Sequence, residues 1–234
     1  MSESLDVKVI SLGGSIIAPG GVDADFVRSF AATITGYLGE DERRRVIIVC
    51  GGGALAREYQ KAYRDIVPEP EGDSQDWIGI AATRVNAELL RHVFSNYSPS
   101  PVVTDPTAVS VFPGRVLVSA GWKPGFSTDN VAVLFAEKFF ADVVINLSNI
   151  ARVYSEDPKL NPDAVPIDRS TWAEFRTIVG DSWVPGKNAP FDPVAAKRAS
   201  EIELKVVVAA GKDLDNMDAI LRGASFVGTV IGPG

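Results

Sequence analysis

The sequence contains very few residues that could form disulfide bonds or bind zinc. Its 234 residues include one cysteine, Cys50, and one histidine, His92. One cysteine cannot form an internal disulfide bond, and a His/Cys zinc cluster needs more ligands than these two residues supply. The scarcity of cysteine favours a cytoplasmic protein. His92 falls inside a predicted helix as a surface or packing residue, so Ser–His hydrolysis is poorly supported.

Long apolar runs and an excess of positive charge are also missing. No stretch of 18 apolar residues occurs, and residues 1–6 lack the basic-then-apolar pattern of a signal peptide. The formal net charge of -7 argues against non-specific binding to nucleic acid or to anionic membranes. We therefore expect a protein whose partners include neither nucleic acid nor membrane.

Several common nucleotide-binding and catalytic signatures are absent as well. The P-loop pattern, the protein-kinase motifs and the Gly-x-Ser-x-Gly nucleophile elbow do not occur. Gly51, Gly53 and Ala56 fit a relaxed dinucleotide fingerprint. That fingerprint needs a strand ending in an acid about 20 residues later, whereas residues 66–73 contain two prolines and predict a loop. A dinucleotide site is therefore disfavoured.

Strands and helices are predicted to alternate along the chain. Apolar runs predict strands over residues 7–12, 46–50, 102–103, 116–118, 143–147, 204–209 and 226–230. Helical spacing predicts helices over residues 23–38, 54–67, 76–94, 130–140, 171–179, 193–200 and 213–222. Residues 149–166 are predicted to form a polar excursion with little helix. This alternation predicts an α/β fold, a three-layer α/β/α sandwich with a mostly parallel central sheet, and a ligand at the carboxyl ends of the strands.

Three loops that follow predicted strands are suited to binding anions. Gly13-Gly14-Ser15 and Gly51-Gly52-Gly53 would let a ligand approach the backbone closely. Residues 121–129 combine a Pro-Gly turn and Lys123 with a predicted helix start, where free N–H groups attract anions. Taken singly, each loop is explained as well or better by tight packing or helix capping. The three together favour phosphate binding.

In family order, these segments resemble the amino acid kinase superfamily, and most closely its archaeal-type UMP kinases. The resemblance extends from Val9 to about Pro233. It rests on Gly13-Gly14-Ser15, the segments 51–57, 76–87 and 121–129, and Ser148-Asn149 with Val153-Tyr154 and Asp157-Pro158-Lys159. It implies a single domain over residues 1–234, with a phosphoryl-acceptor half over about 1–140 and a nucleotide-binding half over about 141–234.

The resemblance implies phosphoryl transfer from ATP to UMP with Mg²⁺, in pyrimidine nucleotide biosynthesis, by a homohexamer. ATP would contact Gly14, Ser15, Gly53, Arg57, Ser148, Tyr154 and Asp157. UMP would contact Gly52, Asp76, Trp122, Lys123, Pro124, Gly125, Phe126, Ser127 and Thr128. Asp76 would accept hydrogen bonds from the ribose hydroxyls, and Arg57 and Asp129 would act in catalysis. Asp129 would organise Mg²⁺ or cationic groups near the transferred phosphate, although first-turn helix stabilisation explains it equally well. No residue is assigned as a metal ligand.

Two positions depart from the superfamily pattern. Ser11 stands where many relatives carry a lysine, and Lys8 faces the other side of the strand, so Lys187 is a candidate replacement cation. Ala151-Arg152 replaces an Asp-Gly pair near the nucleotide. Two alternatives therefore stay open: a related kinase with another small substrate, such as an acylamino acid or isopentenyl phosphate, and a nucleotide-binding regulatory protein with little or no turnover. The apolar stripe of residues 26–38 suits either a core or a subunit interface.

Overall fold

The computed structural model describes residues 4–158, 160–180 and 189–234, and its main element is a seven-stranded sheet. Lys159 and Lys187 therefore lie outside the described residues. The strands are β1 (Asp6–Leu12), β2 (Arg44–Cys50), β3 (Val116–Ser119), β4 (Val143–Ser148), β5 (Val153–Tyr154), β6 (Pro166–Ile167), β7 (Arg169–Thr171), β8 (Lys205–Ala210) and β9 (Thr229–Gly232). The sheet order is β3-β2-β1-β4-β8-β9-β7, while β5 and β6 form a separate antiparallel pair. Within the large sheet only the β8–β9 pairing is antiparallel, so the mostly parallel sheet is confirmed.

Helices cover both faces of this sheet. They are α1 (Gly14–Ile17), α2 (Ala24–Gly39), α3 (Gly53–Ile66), α4 (Gly72–Val93), α5 (Thr128–Lys138), α6 (Trp172–Val179), α7 (Pro193–Glu201) and α8 (Leu214–Leu221). Buried side chains of α2, α4 and α8 pack on one face, and those of α5, α6 and α7 pack on the other. Helix α3 packs against α4 without burying any residue completely. The predicted three-layer architecture is therefore confirmed.

The apolar stripe of α2 belongs to the core of the protein. Phe30, Ile34, Tyr37 and Leu38 are at most 1% exposed and pack among the side chains of the sheet. Asp23 caps the helix by accepting a hydrogen bond from the Phe26 N–H. Packing against the sheet thus accounts for the stripe that also suited a subunit interface.

Several element boundaries differ from the sequence-based prediction. Helix α4 begins at Gly72 instead of residue 76, because its polar first turn is held by α3 through a hydrogen bond from Gln60 to the Gln75 carbonyl. Strand β9 begins at Thr229 instead of residue 226. Val103 forms only an isolated bridge with Ser119, and the short polar strand β7 was not predicted. Short strands have too few residues for a periodic pattern to identify them.

The sheet reverses its direction of growth between β1 and β4, which defines the place where a ligand is expected. Strands β2 and β3 lie on one side of this boundary, and β8, β9 and β7 lie on the other. The Gly13 N–H donates to the Leu147 carbonyl, and the Gly211 N–H donates to the Ser148 carbonyl. The turns after β1, β4 and β8 therefore meet at this switch point, where ligands of open α/β sheets bind. Within the described residues, no helix has the length and apolar character needed to cross a bilayer.

Candidate active site

The two predicted glycine turns touch each other through their backbones. A Cβ atom on Gly14 would lie 2.1 Å from the Gly53 nitrogen, and one on Gly51 would lie 2.5 Å from the Gly14 nitrogen. Gly53 also has a φ of +67°, which favours glycine. The Asn86 amide donates to the Gly51 carbonyl at 2.8 Å and fixes the second turn to α4. Close packing therefore requires these glycines, and their contact with ATP stays a prediction.

Arg57 joins the two turns at the surface of the site. Its guanidinium donates to the Ser15 hydroxyl at 3.0 Å, so two residues 42 positions apart in the chain become neighbours. Arg57 lies in the second turn of α3, and its side chain is exposed to solvent. The cation is thus placed beside the first glycine turn, and its contact with ATP phosphates stays a prediction.

A cavity of about 410 Å³ lies between α3, α4 and the loop that precedes α5. Six of the predicted acceptor residues line it: Gly52, Asp76, Gly125, Phe126, Ser127 and Thr128. Its volume is within the range of small-molecule sites, about 300–1,000 Å³. Sequence reasoning missed three polar residues in its walls, Gln60, Thr83 and Asp192, which belong to three different helices or helix caps. Of these, only Thr83 lies in a segment that carried the family resemblance.

Three contacts with α4 hold the loop of residues 121–128 in place. The Asp76 carboxylate accepts a hydrogen bond of 2.9 Å from the Gly125 N–H. The Thr83 hydroxyl accepts one of 2.8 Å from the Gly121 N–H, and Arg84 donates to the Trp122 carbonyl at 3.4 Å. One Asp76 oxygen is therefore used for the loop, while the partly buried carboxylate still lines the cavity.

The aromatic part of this loop forms a small stack of its own. The ring centroids of Trp122 and Phe126 are 4.6 Å apart, and the Lys123 ammonium lies 4.1 Å from the Trp122 centroid. Of the three side chains, only Phe126 lines the described cavity. Contacts of Trp122, Lys123 and Pro124 with an acceptor therefore stay predictions.

The carboxyl group of Asp129, which directly follows the cavity residue Thr128, has a raised pKa. Its oxygens accept hydrogen bonds from the Ser11 hydroxyl at 2.8 Å and from the Asp192 N–H at 3.1 Å. The residue keeps some accessible surface, but protein atoms enclose its carboxyl group, and this burial raises the pKa of Asp129 to about 6. The two hydrogen bonds favour the ionised form and offset part of that rise.

Ser11 thus occupies the position of the missing lysine and contacts the predicted catalytic carboxyl group. Lys8 points elsewhere, since its ammonium pairs with Asp6 and Asp142, each at 2.9 Å. The helix-cap prediction is confirmed next to Asp129, because the Ser127 hydroxyl accepts from the Asn130 N–H at 3.1 Å.

The predicted adenosine residues lie near the switch point and in the excursion that follows it. Ser148 ends β4 and lies beside Gly13, and Tyr154 pairs with Pro166 in the two-stranded sheet. Arg152, one of the departures, forms an ion pair with Asp168. Residues 149–166 contain no helix among those described, in agreement with the prediction. The roles of Ser148, Tyr154 and Asp157 stay predictions.

The described residues provide few ligands for a metal ion. No group of three or more His, Cys, Asp or Glu side chains among them could hold one. Asp129 and Asp192 are neighbouring acidic residues, of which Asp192 lines the cavity, and the Asp192 carboxylate also caps α7 by accepting from the Ala195 N–H. This arrangement fits Mg²⁺, which binds through one or two carboxylates and takes its other ligands from substrate phosphates and water.

Comparison with known proteins gives full-length similarity. The model of the amino acid kinase family matches residues 6–210. The uridylate kinase of Thermoplasma volcanium is 36% identical over 233 residues, which cover 99% of this chain and 98% of that protein. The uridylate kinase of Archaeoglobus fulgidus is 38% identical over 228 residues, covering 95% and 98%. A crystal structure of the Archaeoglobus fulgidus uridylate kinase has a TM-score of 0.82 at 36% identity, covering 96% of this chain and 99% of that one.

Proposed function

The chain belongs to the amino acid kinase family, and we propose that it transfers a phosphoryl group from ATP to UMP, giving UDP. The observation that carries this proposal is the cavity in which Gly52, Asp76 and the loop before α5 come together. Its relatives named as uridylate kinases support the choice of UMP as the acceptor. The role proposed for the chain is thus in pyrimidine nucleotide biosynthesis.

The acceptor phosphate would bind where two helices begin. Gly52 is the N-cap of α3 and Thr128 is the first residue of α5, and both line the cavity. The first N–H groups of these helices and the positive ends of their dipoles favour an anion there. Asp76 lies in the opposite wall on α4, where its carboxylate can accept hydrogen bonds from sugar hydroxyls.

ATP would bind at the switch point, with its phosphates directed toward the paired glycine turns. Gly14, Ser15, Gly53 and Arg57 are the residues proposed to contact these phosphates, with Ser148, Tyr154 and Asp157 around the adenosine. Arg57 would neutralise charge between donor and acceptor, since phosphoryl transfer depends mainly on positioning and charge stabilisation. In this proposal the domain consists of a half that binds the phosphoryl acceptor, residues 1–140 approximately, and a half that binds the nucleotide, residues 141–234 approximately.

Mg²⁺ is proposed as the cofactor, held by the nucleotide phosphates with Asp129 or Asp192 as the protein ligand. When bound, it would neutralise phosphate charge during transfer. The role of Asp129 that the described contacts support directly is positional, because this residue links Ser11 of β1 to Asp192 before α7. We further propose a homohexamer in the cytoplasm, with small-molecule nucleotides as its ligands and with neither nucleic acid nor membrane among its partners. Light scattering of the purified protein tests the assembly.

A coupled assay tests the activity. Purified protein with ATP, Mg²⁺ and UMP should release ADP and UDP in equal amounts, and chromatography should identify UDP directly. The same assay with an acylamino acid or isopentenyl phosphate in place of UMP tests the related-kinase alternative. Absence of UDP under these conditions would refute the proposed reaction.

The contact between Ser11 and Asp129 favours one second candidate, a nucleotide-binding protein without turnover. No lysine stands at position 11 to neutralise a phosphate, and Ser11 itself carries no charge. Calorimetry separates this candidate from the kinase, because it predicts micromolar or tighter binding of UMP or ATP with no UDP formed.

Replacing Arg57 by alanine should lower kcat/KM for UMP by about 100-fold, because it removes the cation beside the Ser15 turn. Lys61→Ala is the matched control. It removes one positive charge one turn further along α3, where the side chain is 71% exposed and pairs with Asp65. Steady-state kinetics should show near-parental values for this control. Equal losses in the two variants would mean that only the overall charge of α3 matters.

A further inference from the structure

Gln60 is a polar residue of the cavity wall that carries no assigned role. It lies on α3, and its carboxamide Nε2 donates to the Gln75 carbonyl at 2.9 Å. This bond identifies the nitrogen of the carboxamide, since a carbonyl oxygen accepts only from a donor. The Oε1 atom and the second N–H of Gln60 have no hydrogen-bond partner within the part of the chain that the structure describes, so they can bind a ligand, and the bond to Gln75 orients the side chain.

The absence of a side chain at Gly79 allows Gln60 to lie against α4. A Cβ atom at Gly79 would lie 2.6 Å from Gln60 Nε2 and 3.5 Å from its Cδ. The carboxamide therefore lies directly against the backbone of α4, inside the cavity wall. Because Gly79 has no side chain, the Gln60 side chain of α3 can pack directly against the backbone of α4 at this position.

The walls of the cavity place Gln60 at the end away from the proposed phosphate position. Gly52, Ala56 and Gln60 line the cavity at four-residue spacing along α3. At about 1.5 Å per residue, Gln60 lies about 12 Å beyond Gly52 along the helix axis. Helix α4 runs in the opposite direction, since Asn86 contacts the Gly51 turn and Gln75 contacts Gln60.

Asp76 follows Gln75 directly and therefore lies at the same end of the cavity as Gln60. The two side chains line it from facing helices, one carboxylate and one carboxamide. One Asp76 oxygen already accepts from Gly125, so the lone pairs that remain at this end suit a ligand that donates two hydrogen bonds from adjacent atoms. A vicinal diol has this property, because both of its hydroxyls can donate.

We propose that Gln60 acts with Asp76 to recognise the 2′- and 3′-hydroxyls of the acceptor, which makes the site selective for ribonucleotides over 2′-deoxyribonucleotides. This inference rests on the proposed function and identifies the sugar that its acceptor must carry. A 2′-deoxy acceptor would leave one of these polar groups of the cavity wall without a hydrogen-bond partner from the ligand. Sites built to hydrogen-bond a hydroxyl discriminate strongly against the analogue that lacks it.

The test compares UMP with dUMP in the parent and in Gln60→Met, which keeps an unbranched side chain of similar length. The parent should prefer UMP, with kcat/KM about 30-fold or more above that for dUMP. In Gln60→Met, kcat/KM for UMP should fall about 10-fold or more while that for dUMP changes little, so the preference largely disappears. Gly79→Ala should reduce the preference in the same direction, because its methyl group displaces the Gln60 carboxamide without removing it.

Arg64→Met is the control for a purely structural role of Gln60. Arg64 lies one turn further along α3 and donates to the Gln75 side chain at 3.0 Å, so its loss weakens the same contact between the helices. It should leave the UMP to dUMP ratio unchanged. If kcat/KM fell equally for UMP and dUMP in Gln60→Met, the proposal would be overturned. A changed ratio of kcat/KM for UMP and CMP with an unchanged ratio for UMP and dUMP would also overturn it. A parent that phosphorylates neither UMP nor dUMP would instead refute the proposed function, and calorimetry with both nucleotides would then test the sugar preference separately.

Discussion

Replacing Gly14 by alanine should destabilise the protein by about 3 kcal/mol or more and abolish activity. The new Cβ atom would lie 2.1 Å from the Gly53 nitrogen and 2.5 Å from backbone atoms of Gly51. Both neighbours are main-chain atoms, which cannot rotate away as a flexible side chain can. The two turns would have to separate, and the N-terminus of α3 would move with the second one. Urea denaturation measures the loss of stability, and UDP release measures the loss of activity.

Gly36→Ala is the matched control for this experiment. Gly36 lies within α2, and no atom outside its own helix lies within 4 Å of the position that a Cβ would take. Alanine in such an exposed helical position should raise the free energy of unfolding by about 0.5–1 kcal/mol. The free energy of unfolding is therefore expected to fall in Gly14→Ala and to rise in Gly36→Ala. If Gly14→Ala were as stable and active as the parent, the turns would not be in contact.

The order of strands and helices could be predicted from sequence because apolar residues in each long element recur at the spacing typical of a helix or a strand. Helix α2 shows this, since its buried side chains recur at helical spacing and Asp23 marks its start. The contact between Gly14 and Gly53 could not be predicted in the same way. Glycine after a strand predicts a turn, but only the parallel pairing of β1 and β2 brings the two turns together.

Site residues could be predicted where they belong to one continuous motif. Contacts between residues that are distant in sequence could not. Ser127 as a helix cap follows from local sequence alone. The contact of Ser11 with Asp129 joins residues 118 positions apart, and Asp192 joins them from a third segment. No local pattern encodes such a cluster, because its geometry comes from the packing of β1, α5 and α7. The same reason explains why Gln60 was missed.

Asp129→Asn should lower kcat for UDP formation by about 100-fold, because the start of α5 and the loop before it would shift. The carboxylate accepts from both Ser11 and Asp192, whereas an asparagine side chain has one acceptor oxygen and one donor nitrogen. The amide oxygen can still accept from the Asp192 N–H, but the amide nitrogen would then face the Ser11 hydroxyl, whose proton loses its acceptor and whose oxygen must accept instead. Steady-state kinetics at about pH 8 measures the effect, since the parental carboxyl group is ionised there. Unchanged kcat would show that Asp129 has no role in positioning.

The pH dependence of stability provides a second, independent readout of Asp129. Its pKa is raised to about 6 in the folded protein, above the value of about 4 expected when unfolded. The native state therefore holds this proton more tightly. As pH rises through this interval, the group lowers the free energy of unfolding, by up to about 3 kcal/mol in total. Above about pH 7 its contribution is constant, because the group is then ionised in both states.

Two variants separate this contribution from those of other groups. In Asp129→Asn the titrating group is absent, so the variant does not show this decline in stability. The difference between the free energies of unfolding of the variant and the parent should therefore shift in favour of the variant between about pH 4 and pH 7. Ser11→Ala keeps the carboxyl group but removes a hydrogen bond that favours its ionised form. The pKa of Asp129 should then rise further, and the decline in stability should continue to higher pH than in the parent. Parallel stability curves for the parent and Asp129→Asn across this range would show that Asp129 titrates normally, and its enclosure by β1, α5 and α7 would then have no electrostatic consequence.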